Sequence, residues 1–116
     1  MKRKIALFAF RGESMCFAHA LLNALDLYDR GHDVKLIIEG SAVKEIAIMA
    51  DSGKPFSKLY TRAKELGLIE CVCKACATQL GSIEAARQQD LPLCDQMMGH
   101  APMAPFIEQG YEIIVL

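Results

Sequence analysis

Strong charge of either sign is missing from this chain. Thirteen Lys and Arg stand against fourteen Asp and Glu, a formal net charge of −1. That balance removes any general electrostatic case for nucleic acid or an anionic membrane. Long apolar runs are missing as well. Met1-Lys2-Arg3-Lys4 followed by Ile5 to Phe10 has the outline of a signal peptide, but Arg11 ends the run early and no small-residue cleavage site follows. No stretch approaches the roughly 20 apolar residues of a membrane span. Gly53-Lys54 lacks the glycine spacing of a phosphate-binding loop. Repeats, low-complexity tracts and linkers are absent. The expectation is a cytoplasmic protein of one domain, residues 1–116, with no cofactor and no resident metal, engaging neither nucleic acid nor membrane.

What is present is apolar. Hydrophobic residues make up 53% and charged residues 23%, which excludes a disordered chain. A domain this small and this apolar is expected to bury surface against copies of itself. Five cysteines are an odd number, and three of them fall within Cys71-Val72-Cys73-Lys74-Ala75-Cys76. Clustering of that kind reads as catalytic or metal-binding rather than as a disulfide framework.

Taken in order, Lys4 to Phe10 is a near-continuous apolar run, as for a strand covered on both faces. Ser14 is an N-cap for a helix over Met15 to Arg30, with Phe17, Leu21, Ala24, Leu25 and Tyr28 at helical spacing and Gly31 as its stop. Cys16 and His19 lie in its first turns, read as a small buried thiol beside a packed or surface histidine. Asp33 to Glu39 is a second strand ending at Gly40. Ser41 caps a helix to about Ala50, and Phe56 to Leu66 is another with a clean apolar stripe. Leu68 to Val72 is the third strand. Short helices over Lys74 to Leu80 and Ile83 to Gln89 follow. Pro92 argues against a central strand beginning there, so a short strand is placed at Cys94 to Met98. A late-starting helix within Pro102 to Gln109 and a last strand, Tyr111 to Leu116, close the chain. Strands alternating with helices predict an α/β fold: a three-layer α/β/α sandwich on a mostly parallel sheet of about five strands, with right-handed crossovers.

In such a sheet the carboxyl ends of the strands share one rim, where ligands gather. That rim collects Arg11-Gly12-Glu13, Glu39-Gly40-Ser41, Cys73 to Cys76 and Gly99-His100. Cys73 and Cys76 have C-x-x-C spacing at a strand-to-helix junction. The helix start and Lys74 favour a reactive thiolate there. Several readings stay open. Zinc normally needs a second pair, and Cys71, Cys94 and His100 match no familiar zinc module. A thioredoxin-type motif belongs after the first strand of its fold. A persulfide relay needs only one exposed nucleophilic cysteine. Packed, inert cysteines are the bland alternative. His100 reads either as proton donor or acceptor for a thiol or as a solvated loop histidine.

Cys73-x-x-Cys76-x-x-x-x-Gly81 after an apolar strand resembles the DsrE/DsrF family, which includes the YchN-like proteins and the TusD subunit of the sulfur relay. The opening strand, the helix closing at Gly31, the Ile37-Ile38-Glu39-Gly40 turn and Gly110-Tyr111-Glu112-Ile113-Ile114 agree with that likeness over essentially the whole chain. The resemblance implies a flavodoxin-like fold, homo-oligomers (trimers or hexamers) and exchange of persulfide sulfur with donor and acceptor proteins. It implies that Cys73 is the active cysteine and Cys76 the second thiol. Leu80 stands where the family often has arginine, and Cys71 is an extra thiol. The expected site is thus Cys73 and Cys76 as catalytic residues, with Cys71, Glu13, Gly40 and His100 binding around them. A non-catalytic module holding a small ligand or metal, and a C-x-x-C thiol-disulfide protein, are the alternatives.

Overall fold

The computed structural model describes all 116 residues. Five parallel strands form one sheet: β1 (Lys4–Ala9), β2 (Asp33–Ile38), β3 (Ile69–Cys73), β4 (Leu93–Cys94) and β5 (Glu112–Val115), in the order β4-β3-β2-β1-β5. The helices are α1 (Ser14–Asp29), α2 (Glu45–Met49), α3 (Ser57–Glu65), α4 (Lys74–Gln79), α5 (Ile83–Gln88) and α6 (Ala104–Glu108). The expected flavodoxin-like α/β sandwich is the fold observed.

Strand order and the right-handed crossover rule together decide which helix lies on which face. The steps β1 to β2, β2 to β3 and β3 to β4 all run the same way along the sheet, so α1 to α5 share one face. The step from β4 back to β5 runs the other way and puts α6 on the opposite face. The side chains agree. Ile5, Leu7 and Ala9 of β1 enter the larger core with Phe17, Leu21, Ile46, Tyr60 and Ala86. Their alternates, Ala6 and Phe8, enter a thinner core with Phe106 and Tyr111, as the two-residue period of a strand requires.

β3 departs from simple alternation, and the departure positions the cysteines. Leu36 pairs with Ile69, but Ile37 pairs with Cys71, so Glu70 is an extra residue. This irregularity lets Ile69 and Val72 both reach the large core, while Cys71 and Cys73 face the thin one. A one-residue shift exchanges faces.

Three expectations are corrected. The fourth strand is Leu93–Cys94 rather than Cys94 to Met98. Pro92 does sit against the sheet: it needs only to accept, and its carbonyl takes the Val72 N–H at 2.8 Å. The segment expected as one helix from Ser41 is a 3-10 helix (Gly40–Lys44) running into α2. Ser41 donates its hydroxyl to the Phe10 carbonyl at 3.3 Å instead of capping. Glu13, not Ser14, occupies the N-cap position of α1, without a side-chain capping bond.

Candidate functional site

Adjacent strands whose following connections leave to opposite faces open a crevice between them at their carboxyl ends. Here those strands are β3 and β4. After β3 the chain turns into α4 on the thick face, and after β4 it turns into the Asp95–Met103 loop and α6 on the other. Cys73 ends β3 and is the residue preceding α4, Cys76 lies in its first turn, and the loop after β4 carries His100. The two walls are tied by the Ala75 N–H donating to the Gly99 carbonyl at 2.8 Å. Gly99 holds φ +91° in that loop, a backbone state that glycine adopts without steric cost.

The sulfur of Cys73 lies 3.4 Å from His100 Nδ1, and the sulfur of Cys76 lies 3.7 Å from the same nitrogen. Cys73 is buried, while Cys76 and His100 are half-buried. The expectation of a reachable, readily ionised Cys73 is therefore corrected in one respect: solvent meets Cys76, and Cys73 is the inner thiol. Cys76 is also harder to ionise than a free thiol. Burial, and next the neighbouring Cys73 thiol, push it up to about 11, against a backbone hydrogen bond from Gly40 that pulls the other way. At neutral pH it keeps its proton until something takes it. The field of the six-residue α4 does not prevail over burial.

Glu39 and Gly40, at the end of β2, form the floor beside these groups. Burial raises the Glu39 carboxyl above its ordinary range, and the charge of His100 pulls it back. Gly40 stands at φ +56°, and a Cβ there would come within 2.8 Å of the Phe10 ring and carbonyl, so the close approach itself requires glycine.

The structure sorts the remaining expected site residues. Cys71 does not join the site. It is bonded to Cys94 in a disulfide joining β3 to β4, with Cα atoms 5.7 Å apart, and both are buried in the thin core. Glu13 is exposed and lines a separate shallow depression with Arg11, Gly12, Ser41 and Lys44. Of the expected residues, Cys73, Cys76, Gly40 and His100 come together, and Glu39, placed on the rim but not chosen as a ligand, joins them. Cys94 was legible as a thiol but not as a partner, because its neighbour depends on where β4 begins. A groove of about 650 Å³ lies elsewhere, where β1 meets β5, and includes Phe10, Met15, Cys16, His19 and Val115.

No protein-family profile matches the chain. Its fold is shared with a solved structure from Bacteroides thetaiotaomicron, the conserved protein of unknown function BT1422. The likeness has a TM-score of 0.61 and 17% identity, and covers 96% of this chain and 94% of that one. An uncharacterized protein of Archaeoglobus fulgidus is 42% identical over 60 residues, which is 52% of this chain and 97% of that protein. The uncharacterized protein MJ0733 of Methanocaldococcus jannaschii is 31% identical over 98 residues, which is 84% of this chain and 78% of that protein. A match of that depth over most of both chains shows common descent, and the chain belongs to the family of MJ0733.

Proposed function

We propose that this protein is a sulfur carrier of the DsrE/DsrF type, working in a compartment where free thiols persist, in which Cys76 takes up sulfane sulfur and passes it to a partner protein. The supporting observation is a single imidazole nitrogen within reach of two free thiols at a crevice mouth. His100 accepts the Cys76 proton. The thiolate attacks the outer sulfur of a donor persulfide R–S–SH, giving Cys76–S–SH and R–S⁻, and the proton returns to the departing thiolate. Donation runs the same exchange toward an acceptor. Cys73 is the second thiol: its attack on the inner sulfur of Cys76–S–SH forms a Cys73–Cys76 disulfide and expels hydrosulfide, which empties a carrier that meets no acceptor. The resemblance puts the active cysteine at position 73, and the burial of that residue is what moves the point of entry to Cys76.

Incubation with a sulfane donor followed by intact-mass measurement tests this. The expected result is a gain of one sulfur in Cys73→Ser, where the emptying step is removed. The gain is reversed by reductant, kept when Cys16→Ser is added and lost when Cys76→Ser is added. Wild type shows either that gain or the two-hydrogen loss of a Cys73–Cys76 disulfide. No gain in Cys73→Ser, or a gain that survives Cys76→Ser, sinks the proposal.

The partner in assembly is proposed to be a second copy of the chain. β5 is an edge strand whose Ile114 and Val115 are exposed, and Phe10, Met15 and Leu22 on the adjoining surface are exposed as well. An uncovered apolar edge of this kind pairs readily with another chain.

A further inference from the structure

We propose that Cys73, Cys76 and His100 are three protein ligands of a tetrahedral zinc site whose fourth position opens to solvent. The inference stands on the same side chains as the sulfur reading but does not depend on sulfur transfer.

The distances carry it. With Zn–S about 2.3 Å and Zn–N about 2.0–2.1 Å, a tetrahedral centre separates a sulfur ligand from a nitrogen ligand by about 3.6 Å. The two sulfur-to-Nδ1 distances here are 3.4 and 3.7 Å, one on each side of that value. All three donor atoms lie within 4.8 Å of one another. A hydrogen bond does not account for the arrangement, because Nδ1 offers one lone pair or one N–H and serves one sulfur at a time. Two sulfurs gathered about one nitrogen surround a shared point instead. The ligand chemistry suits zinc: two thiolates and an imidazole form a set used where a catalytic zinc keeps an open position.

The surroundings supply a second, separate observation. Ligating histidines are commonly steadied through their other ring nitrogen by a carboxylate. Nδ1 faces the sulfurs, so Nε2 is the ring nitrogen left for a carboxylate, and half-buried Glu39, directly after β2 on the same rim, is a carboxylate placed there. Access is also one-sided. Cys73 closes the core side, while half-buried Cys76 and His100 form the mouth. The Cys71–Cys94 disulfide removes the two nearest other thiols from competition.

The test is titration of the full chain with Zn²⁺ against a chromophoric chelator, and with Co²⁺ followed by absorption. Wild type under non-reducing conditions and a Cys71→Ala/Cys94→Ala variant under a phosphine reductant are run in parallel, so that neither disulfide reduction nor a folding failure of the variant obscures the result. The expected result is one metal per chain, a sulfur-to-cobalt charge-transfer band and tetrahedral d–d bands. Cys76→Ser and Cys73→Ser lose the band. Glu39→Gln weakens binding by about tenfold, and His100→Ala weakens it more. Cys16→Ser leaves it unchanged. No charge-transfer band in either background, or binding that persists in Cys73→Ser and Cys76→Ser, overturns the site. The two readings fail separately: a chain that loads sulfur but binds no metal sinks this one, and a chain that binds metal but takes no sulfur sinks the carrier. If both hold, Zn²⁺ blocks sulfur uptake at one equivalent.

Discussion

Two residues outside the thiol pair carry predictions of their own. Gly40 combines φ +56° with no room for a side chain. Gly40→Ala is expected to cost about 1–3 kcal/mol and to displace the backbone that faces Cys76. Chemical denaturation and Cys76 alkylation rate measured on the same variant check both halves, and an unchanged midpoint refutes the account. Glu45 presents the opposite case. It is 1% exposed, and its Oε1 has no hydrogen-bond partner. An orphaned buried oxygen costs about 1–3 kcal/mol, so Glu45→Met, similar in length and helix propensity, is expected to raise the denaturation midpoint. A lower midpoint would show that the carboxylate contributes something the packing does not reveal. Neither residue was legible beforehand in these terms: Gly40 read as the end of a strand and a binding residue on the rim, and Glu45 as one charge among fourteen.

At the scale of elements, the disulfide between β3 and β4 closes a separation of 23 residues. By loop-closure entropy a cross-link of that length stabilises by about 3 kcal/mol. Cys71→Ala/Cys94→Ala should lower stability by that order and loosen β4, which has only two residues. Hydrogen exchange at positions 93 and 94, compared between wild type and the variant, measures the loosening. On the thick face, Tyr60 joins α3 to the end of α5 by donating its hydroxyl to Gln89 Oε1, and burial raises its phenol well above the ordinary value of 10.0. The sign follows. Below the unfolded-state value the buried phenol contributes fully. Above it the unfolded chain ionises first, and that contribution is lost as pH rises. Stability should therefore fall above about pH 10, and Tyr60→Phe should flatten that part of the profile at a cost of about 1 kcal/mol elsewhere. The elements themselves were readable where one periodicity ran long, as in α1 with Phe17, Leu21 and Leu25, or where a strand was apolar throughout, as in β1. Reading failed at β4, where two residues give no period to count. It failed again at Ser41, whose hydroxyl finds a carbonyl on another strand end rather than its own helix. The thiol cluster was legible from spacing, and so was the rim that brings His100 to it. The order of burial was not, because that depends on the irregularity at Glu70, which sends Cys73 inward.

The whole molecule is lopsided. One face of the sheet carries five helices, and the other carries α6 and the loop that brings His100. The proposed self-association uses neither face but the β5 edge, where Val115 is 54% exposed and Met15, on adjoining α1, 62%. Val115→Lys with Met15→Glu is expected to shift sedimentation toward the monomer without lowering the melting temperature of the separated chain. Unaltered sedimentation would move the interface elsewhere. The crevice has a consequence of a different kind. Its walls belong to opposite layers, so any shear of one layer against the other changes the gap between the two sulfurs and the ring, whereas rearrangement within the thick layer leaves it alone. A nitrogen-15 label in His100 would thus serve as a molecular calliper, its resonance recording the offset between layers.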